Sequence, residues 1–562
     1  MTATALARAH YDAARNLERD GKAGEALHRF SQALALVPHH PICHFHRGRL
    51  LRAAGQVKAA LDCYDKAVAL APDYAEAHLN RGNMLRELDQ SDAALAAYEQ
   101  SLAAKPGYVN AHANRATVFK DLGRLGDSVA ELREIMRVSP DFLPAQSNLL
   151  VTIPYMSEYS AADVAREHRA FGERNEAPLI ARRRPHLNLP DPERRLRVGY
   201  LSPQFRAHVM ASAILPVLLH HRRDRVSVHV FAHVSEPDAM TERMRAAADE
   251  WTFIHKLNDD EAAERVRASA IDVLVHPMGH WASNRLMVLA RKPAPIQVSY
   301  LCNSPTTGLA AIDYSIVDRW LDHDNTLARL MTETPYPLQS GLHIQAYDTE
   351  PPIQPPPMLR HGRITFGSFN NPAKISTASL ALWARVLADV PTARLIIKGR
   401  GLDRPAIATL LRGRLSAAGI EHDRVDLRGR VAEFSRHMDS HGDVDIMLDT
   451  TPFTGGRTTL DALWMGVPVV TLVGAAAYGR FSYSHIMRTG AAELCAFADD
   501  DFVRIARELA AAPDRLQAYR SKLRGQVKAS SLMDAPRHVA ELEDAFRDMW
   551  RRWCAARAAQ IS

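Results

Sequence analysis

The chain has few cysteines, no long apolar run and little net charge, and each shortage argues against a class of protein. Its five cysteines, Cys43, Cys63, Cys302, Cys495 and Cys554, lack CxxC or zinc spacing, so we expect reduced thiols and no structural metal. No apolar stretch reaches the roughly 18 residues that span a bilayer, and the N-terminus lacks a signal-peptide pattern, so we expect a cytoplasmic protein without membrane insertion. The net charge of +6 is small against 70 basic and 64 acidic side chains, so nucleic acid is not an expected partner.

The first quarter of the chain instead contains a 34-residue repeat, marked by Pro38, Pro72, Pro106 and Pro140. This is the period of the tetratricopeptide unit, in which two antiparallel helices are followed by a residue that needs no N–H donor. We predict an α-solenoid over residues 1–153, with about four repeats and a capping helix. Three further columns keep the period: Arg47, Arg81 and Arg115; Gly21, Gly55, Asp89 and Gly123 in the turn; and Phe30, Tyr64, Tyr98 and Leu132 in the packing.

A polar column runs along the first helix of successive repeats, at Asn80, Asn114 and Asn148, with His46 one period earlier. An asparagine at regular rise offers a donor and an acceptor to an extended peptide in the superhelical groove. The alternative is that asparagine merely tolerates a solvated helix face. We predict a peptide-binding groove for a client protein, and oligomerisation through the repeats stays open.

After the array, the pattern changes to that of an α/β protein. A helical linker is predicted over 154–195, and its basic run Arg182 to Arg184 is interpreted as solvated. Short β-branched runs alternating with helical stretches then predict two Rossmann-like lobes, at 196–350 and 363–533, separated by a proline-rich junction at 351–362 and followed by a C-terminal helix at 534–562. The predicted strands are 196–202, 226–234, 271–277, 296–301 and 314–318, then 364–370, 393–399, 424–429, 444–450 and 468–473.

The most informative polar segment follows the predicted strand at 444–450. Gly455 and Gly456 allow close backbone approach, and Thr458 and Thr459 open a helix whose free N–H groups and dipole would hold a phosphate. Asp461, in the first turn of that helix, could reach a ribose hydroxyl. The alternative is a plain glycine turn and helix cap. The chemistry favoured is a diphosphate cradle without the lysine of a P-loop.

Four motifs make a family resemblance specific: LDTTPFTGGRTTLDALWMGVPVVTL at 448–472, RKPAPIQVSYL at 291–301, FNNPAK at 369–374 and SPQFRAH at 202–208. Together they closely resemble the O-linked N-acetylglucosamine transferase family. The likeness covers nearly the whole chain. It implies tetratricopeptide repeats followed by a GT-B glycosyltransferase, with the acceptor on the N-terminal lobe and the nucleotide sugar on the C-terminal lobe.

The resemblance also implies roles for individual residues. Lys374 matches the family lysine that contacts the diphosphate, and His208 the histidine near the sugar and the acceptor hydroxyl; these are the candidate catalytic residues. His437 matches a histidine that packs on the base. The implied nucleotide-sugar-binding set is Asn371, His437, Gly455, Gly456, Arg457, Thr458, Thr459, Asp461 and Arg480.

The chain departs from the family near the donor pocket. Arg457 stands where the family often has histidine, Phe434 where animal enzymes have a lysine, and His276 and His280 flank a strand end that usually lacks histidine. A proline and a glycine between these histidines break a helix, so no metal is expected there. The donor predicted first is UDP-N-acetylglucosamine, used without a cofactor or metal. The alternatives are fucose or a nonulosonic acid on a dedicated client such as flagellin, for which Arg457 is the best support, and a repeat scaffold whose lobes have decayed.

Overall fold

The computed structural model describes residues 2–208, 210–301, 305–342, 344–345, 347, 349–431 and 433–561. Its contacts divide the chain into two compact units, Met1–Leu149 and Leu150–Ser562. Cys43, Cys63, Cys495 and Cys554 are free and buried, and Cys302 lies outside the described residues. In this described part, no helix is both long enough and apolar enough to cross a membrane.

The first unit is a run of helix pairs, as the repeat predicts. Each periodic proline lies two residues beyond the second helix of its pair, the four turn-column residues have φ between 63° and 76°, and the packing column is at most 1% exposed. The predicted solenoid is therefore confirmed. Its helices are α1 (Ala3–Arg19), α2 (Ala23–Leu36), α3 (Pro41–Ala53), α4 (Val57–Leu70), α5 (Ala75–Glu87), α6 (Ser91–Ala104), α7 (Val109–Asp121), α8 (Leu125–Val138) and α9 (Leu143–Thr152).

A histidine column that the sequence analysis missed holds the repeat turns. In successive repeats an imidazole Nε2 donates to the carbonyl oxygen of the periodic proline six residues earlier, at 2.9 Å in each case. A glutamine amide does the same at the end of the array, at 2.6 Å. Each bond satisfies a proline carbonyl in the turn between two helices. The pairs are His44 with Pro38, His78 with Pro72, His112 with Pro106 and Gln146 with Pro140.

The second unit begins with a long helix and a parallel sheet, ordered β3-β2-β1-β4-β5-β6-β7. This order places the crossover between β1 and β4, so the predicted Rossmann-like N-terminal lobe is confirmed. The elements are α10 (Ala161–Ile180), β1 (Leu196–Ser202), α11 (Ala211–His220), β2 (Val226–Ala232), α12 (Ala239–Ala246), β3 (Glu250–Phe253), α13 (Asp259–Ala268), β4 (Val273–His276), α14 (Leu286–Ala290), β5 (Ile296–Ser299), β6 (Tyr314–Asp318), α15 (Leu327–Leu330) and β7 (Thr334–Leu338).

A second parallel sheet forms the C-terminal lobe, ordered β10-β9-β8-β11-β12-β13. Strand order reverses between β8 and β11, which lie side by side with Gly367 opposite Met447. Ligands of such sheets bind outside the carboxyl ends of the strands at this point. The elements are α16 (Met358–His361), β8 (Thr365–Ser368), α17 (Thr377–Asp389), β9 (Arg394–Lys398), α18 (Pro405–Ala417), β10 (Val425–Arg428), α19 (Phe434–Asp439), β11 (Ile446–Leu448), α20 (Arg457–Trp464), β12 (Val469–Leu472), α21 (Phe481–Arg488), β13 (Cys495–Ala496), α22 (Asp499–Ala510) and α23 (Pro513–Ala529).

The last helix, α24 (Ala535–Ile561), returns to the N-terminal lobe. The Glu543 carboxylate accepts a hydrogen bond from His221 Nδ1 at 3.0 Å and one from the Arg222 amide at 2.7 Å. Trp550 is fully buried and donates through Nε1 to the Asp191 carbonyl at 2.8 Å. The apolar face of this helix is therefore covered by the protein itself.

The basic run before the first sheet is less solvated than the sequence predicts. Arg183 forms an ion pair with Glu176, which is only 3% exposed, and also donates to the carbonyl of Ala290 at 2.9 Å. Arg184 pairs with Glu264. A buried carboxylate needs a cationic partner, and Arg183 provides one, so this part of the linker is docked on the lobe.

Candidate functional site

Lys374 is the cation that the fold brings to the strand-order reversal of the C-terminal lobe. It lies six residues after β8, and its Nζ donates to the carbonyl of Thr454 at 2.9 Å and lies 4.3 Å from the ring centroid of Phe453. Thr454 and Phe453 belong to the loop 450–456 that follows β11. Burial lowers the pKa of Lys374 to about 8, against the opposing charge of Asp449. An amine of this kind is charged at neutral pH yet incompletely solvated.

Asp449, at the end of β11, organises the loop 450–456 around one buried carboxylate. It is 3% exposed, and its Oδ1 accepts from the amides of Thr450 at 2.9 Å and Gly455 at 2.8 Å and from Asn370 Nδ2 at 3.0 Å. Its Oδ2 accepts from Thr471 Oγ1 at 2.7 Å. The sequence analysis missed Asp449, although an aspartate at the carboxyl end of a predicted strand was a usable signal.

Thr458 and Thr459 open α20, but their hydroxyls are already engaged. Thr458 Oγ1 donates to Asn370 Oδ1 at 2.7 Å, and Thr459 Oγ1 shares a hydrogen bond of 2.7 Å with Ser482 Oγ. A phosphate at this end of α20 would therefore meet backbone N–H groups of the first helical turn and the positive end of the helix dipole. The threonine side chains would thus hold the loop in place, and the hydrogen-bond donors to a phosphate would come from the backbone.

Gly455 is required by the close packing of this loop. A Cβ there would lie 2.2 Å from Thr459 Oγ1, so Gly455→Ala must displace the loop and break the bond to Asp449. We expect nucleotide binding to weaken by at least about tenfold, because a charge-assisted hydrogen bond contributes roughly 1.5–3 kcal/mol. Titration calorimetry with UDP measures this. Gly413→Ala on α18, where nothing lies within 4 Å of the added Cβ, is the matched control; equal affinity in the two variants would contradict the prediction.

Arg457 lies in a buried ion pair rather than as an isolated cation. Its Nε donates to Asp461 Oδ1 at 2.7 Å and its Nη1 to Gln345 Oε1 at 2.8 Å. Tyr347 also donates its hydroxyl to Asp461 Oδ1, at 2.8 Å. Burial acts to raise the pKa of Asp461, but the donors His437 and Arg457 hold it below its usual value. The carboxylate predicted to reach a ribose is thus fixed, and charged, by protein groups.

Lys398, at the end of β9, orients His437. It is 4% exposed, and its Nζ donates to His437 Nδ1 at 3.1 Å and to Ser440 Oγ at 2.8 Å. Burial first, and the charge of Arg428 second, lower the pKa of Lys398 to about 8. Because Nδ1 accepts, Nε2 carries the hydrogen and faces Asp461 Oδ2 at 3.6 Å. Sequence reasoning missed Lys398, which again stands at a strand end.

Arg480 has partners other than the predicted nucleotide sugar. It is 2% exposed, and its guanidinium donates to the carbonyls of Gly474 at 2.7 Å and Leu321 at 2.8 Å and to both carboxylate oxygens of Asp324 at 2.8 and 2.9 Å. Burial opposes ionisation of Asp324, but the bonds from Arg480 and Thr326 lower its pKa to about 2. Arg480 therefore links the segment after β12 to the N-terminal lobe.

The remaining three residues of the predicted site lie in loops. Gly456 precedes α20, and its carbonyl accepts from the amides of Thr459 and Leu460, each at 3.2 Å, whereas Asn371 and His208 are exposed. Asn371 caps the turn that carries Lys374, since its Oδ1 accepts from the Ala373 amide at 3.1 Å. His208 lies in the loop after β1, and its Nδ1 accepts from the Met210 amide at 3.2 Å. Partial desolvation, with a smaller effect of Arg206, holds the pKa of His208 below its ordinary value. Its imidazole is therefore neutral at pH 7 and able to accept a proton.

The two histidines at the end of β4 are core residues. His276 and His280 are fully buried, and His280 Nε2 donates to the carbonyl of Thr307 at 2.8 Å. Burial lowers the pKa of His276 to about 4, so its ring is neutral. Across the described ranges, no group of three or more histidine, cysteine or acidic side chains is arranged to hold a metal ion.

The predicted peptide-binding asparagines belong to the first unit and are partly buried. Asn80 Nδ2 donates to the Glu76 carbonyl, and Asn114 Nδ2 to Asn83 Oδ1, each at 2.8 Å. Asn148 also has a partner. A peptide would therefore meet the side-chain oxygens of Asn80 and Asn114 more readily than their amide groups, and the role stays a prediction.

Comparison with known proteins agrees with this arrangement. The family model described as glycosyl transferase family 41 matches residues 182–330 and 358–542, and tetratricopeptide repeat models match 48–85 and 79–141. A probable UDP-N-acetylglucosamine–peptide N-acetylglucosaminyltransferase, SPINDLY of Arabidopsis thaliana, is 34% identical over 72% of this chain. A UDP-N-acetylglucosamine–peptide N-acetylglucosaminyltransferase of Caenorhabditis elegans is 22% identical over 64% of this chain.

The extent of the match differs between these relatives and a solved structure. The chain spans less than half of the two curated relatives, 45% and 41% of their lengths. The structure of a mutant Thermobaculum terrenum O-GlcNAc transferase matches with a TM-score of 0.83 and 31% identity, covering 92% of this chain and 98% of that one. The match therefore extends over both the helical repeats and the two lobes.

Proposed function

The chain belongs to glycosyl transferase family 41, and we propose that it transfers N-acetylglucosamine from UDP-N-acetylglucosamine to a serine or threonine hydroxyl of a client protein. One observation carries the proposal: Lys374 Nζ is held 2.9 Å from the Thr454 carbonyl in the loop after β11, where a diphosphate would lie. The similar proteins support the donor. The repeats supply the surface for the client, and the cytoplasm is the proposed location.

The proposed reaction is a direct displacement with inversion. The client hydroxyl oxygen forms a bond to the anomeric carbon while the bond from that carbon to the diphosphate oxygen breaks, and UDP leaves with the electron pair. Lys374 and the N-terminal end of α20 stabilise the negative charge that develops on the diphosphate. The hydroxyl proton passes to His208, to water or to the phosphate; the neutral imidazole of His208 is suited to this role.

The structure weakens the case for a carboxylate-bearing sugar. Arg457 was its best support, but the charge of Arg457 is compensated by Asp461, whose Oδ1 accepts from Nε at 2.7 Å, and Nη1 donates to Gln345. A further anion would compete with a buried carboxylate for the same guanidinium. A decayed scaffold is not favoured either, since a degenerate loop would not keep four hydrogen bonds on Asp449.

The donor can be identified by stabilisation of the native state. Purified protein is incubated separately with UDP-N-acetylglucosamine, GDP-fucose, UDP-glucose and a CMP-nonulosonate, and Tm is followed together with release of the free nucleotide. UDP-N-acetylglucosamine at 100 times its Kd should stabilise the fold by about 2.7 kcal/mol and release UDP, and Lys374→Ala should abolish the release. Stabilisation by another donor alone would replace the proposed one, and silence from all four would favour a scaffold.

The rate of sugar transfer should fall at alkaline pH. The active form of Lys374 is protonated, and burial lowers its pKa to about 8, so the charged fraction falls as pH rises through 8. Above this value we expect kcat/KM, which reports ionisation of the free enzyme, to fall about tenfold per pH unit. Initial rates from pH 6.5 to 9.5, with Tm recorded at each pH to exclude unfolding, measure this limb. A rate that stays constant to pH 9.5 would contradict the assignment of a protonated Lys374.

A further inference from the structure

A cleft between the first two repeats is lined by neutral and basic residues. It lies among α2, α3 and α4 and has a volume of about 600 Å³. Basic side chains are on one part of its surface, and leucine and alanine side chains form the rest. Its lining residues are Ser31, Leu34, Ala35, Pro38, His39, His44, Arg47, Lys66, Ala69 and Leu70.

The repeat itself provides a comparison for Arg47. One and two periods later, Arg81 Nε lies 2.6 Å from Asp65 Oδ1, and Arg115 Nη2 lies 2.5 Å from Glu131 Oε1. Around Arg47 the positions equivalent to these carboxylates are neutral, since Ser31 stands one period before Asp65 and Cys63 two periods before Glu131. The Arg47 guanidinium instead contacts Cys63 Sγ at 3.8 Å.

Two other cleft positions have also changed towards basic residues. Lys66 corresponds to Gln100 and Glu134 in later repeats, and His39 corresponds to Asp73, Gly107 and Asp141. Within the residues that the structure describes, neither Arg47 nor Lys66 has a carboxylate at ion-pair distance. Burial and the charges of Lys66 and Arg47 all act to lower the pKa of His44. The positive charges of Arg47 and Lys66 are therefore both felt at His44, inside the cleft.

We propose that this cleft binds an acidic, partly apolar peptide segment of a protein partner, with a carboxylate paired to Arg47 and Lys66 and an apolar side chain against Leu34 and Leu70. The two cations favour an anion, and Leu70, which is 37% exposed, favours a peptide over a free phosphate because apolar contact adds to the ion pair. The cleft is distinct from the asparagine column, which lies on α5, α7 and α9. The proposal does not depend on transferase activity.

Fluorescence anisotropy on the full chain tests it. The probe is a short fluorescein-labelled peptide that alternates leucine and aspartate, and its partner is the same peptide with asparagine in place of aspartate. We expect binding of the acidic peptide only, weakened at least tenfold by Lys66→Glu and by Arg47→Ser and weakened by added salt. Both variants should keep the wild-type Tm, because Lys66 is exposed and the hydrogen bond of Arg47 among the described residues is a weak one to Cys63 Sγ.

Lys58→Glu is the matched control, since Lys58 is an exposed lysine on the same helix, α4, outside the cleft. Its affinity should equal that of the wild type, and Lys374→Ala should also bind the peptide normally, which separates this site from the transferase site. Equal binding of the two peptides, an equal loss in Lys58→Glu, or complete competition by millimolar inorganic phosphate would overturn the proposal.

Discussion

Lys374→Ala is expected to lower kcat by about 10³, because it removes a preorganised cation from the oxygen that gains charge as the sugar leaves. The fold already bears the cost of burying this amine, as its pKa of about 8 indicates. A buried ammonium that faces the diphosphate stabilises the transition state, in which negative charge develops on the leaving oxygen, more than it stabilises bound substrate. The affinity for UDP should therefore change far less than kcat. Steady-state kinetics and titration calorimetry on the same preparation separate the two quantities.

Lys522→Ala, at an exposed lysine on α23, is the control for loss of a positive charge from the same lobe, and it should keep the wild-type rate. Lys374→Arg adds a second control, since a guanidinium keeps the charge but does not fit a site shaped for an amine. If Lys374→Ala retained more than about a tenth of the activity, the central role of this residue would be wrong.

The strands that the sequence failed to predict share one physical property: all lie at the edges of their sheets. β3 and β7 close the first sheet, and β13 closes the second. Edge strands can be less apolar because one side faces no partner strand, and β7 even contains two prolines, which an interior strand would exclude. The strands at the centre of each sheet, buried on both faces, carry continuous β-branched runs and were correctly predicted.

Site residues could be predicted from the sequence only where they lie in a short motif that resembles a known family. The glycines and threonines of the loop and Lys374 were named from the resemblance. Asn370, Lys398 and Asp449 were missed, although Asn370 and Asp449 lie within two of its motifs. Their roles arise because the fold brings together residues far apart in sequence: Asn370 and Asp449, 79 positions apart, follow the neighbouring strands β8 and β11, and Lys398 at the end of β9 meets His437, 39 positions later on α19. An arginine in a motif likewise gives no sign of its partner, so the bond between Arg480 and Asp324 emerged only from the fold.

Asp449→Asn should impair both stability and catalysis. Asp449 accepts two backbone amides, one side-chain amide and one hydroxyl in a buried position, and an asparagine would turn an N–H group towards some of these donors. Removing one buried, fully hydrogen-bonded charge costs about 3 kcal/mol. The same carboxylate opposes the effect of burial on Lys374, so its loss lowers the pKa of the lysine further. The alkaline limb of the pH–rate profile should therefore move to lower pH than in the wild type.

Asp445→Asn separates these two effects. Asp445 is 1% exposed, lies immediately before β11 and accepts the amides of Met358 at 3.0 Å and Thr365 at 2.8 Å, neither of which belongs to the loop 450–456. Its replacement should lower the urea midpoint as Asp449→Asn does, yet leave the pH–rate limb in place. If the alkaline limb of the pH–rate profile shifts in both variants, or in neither, Asp449 only fixes the structure of the loop. A limb that moves in Asp449→Asn alone would show that the carboxylate also sets the charge state of Lys374.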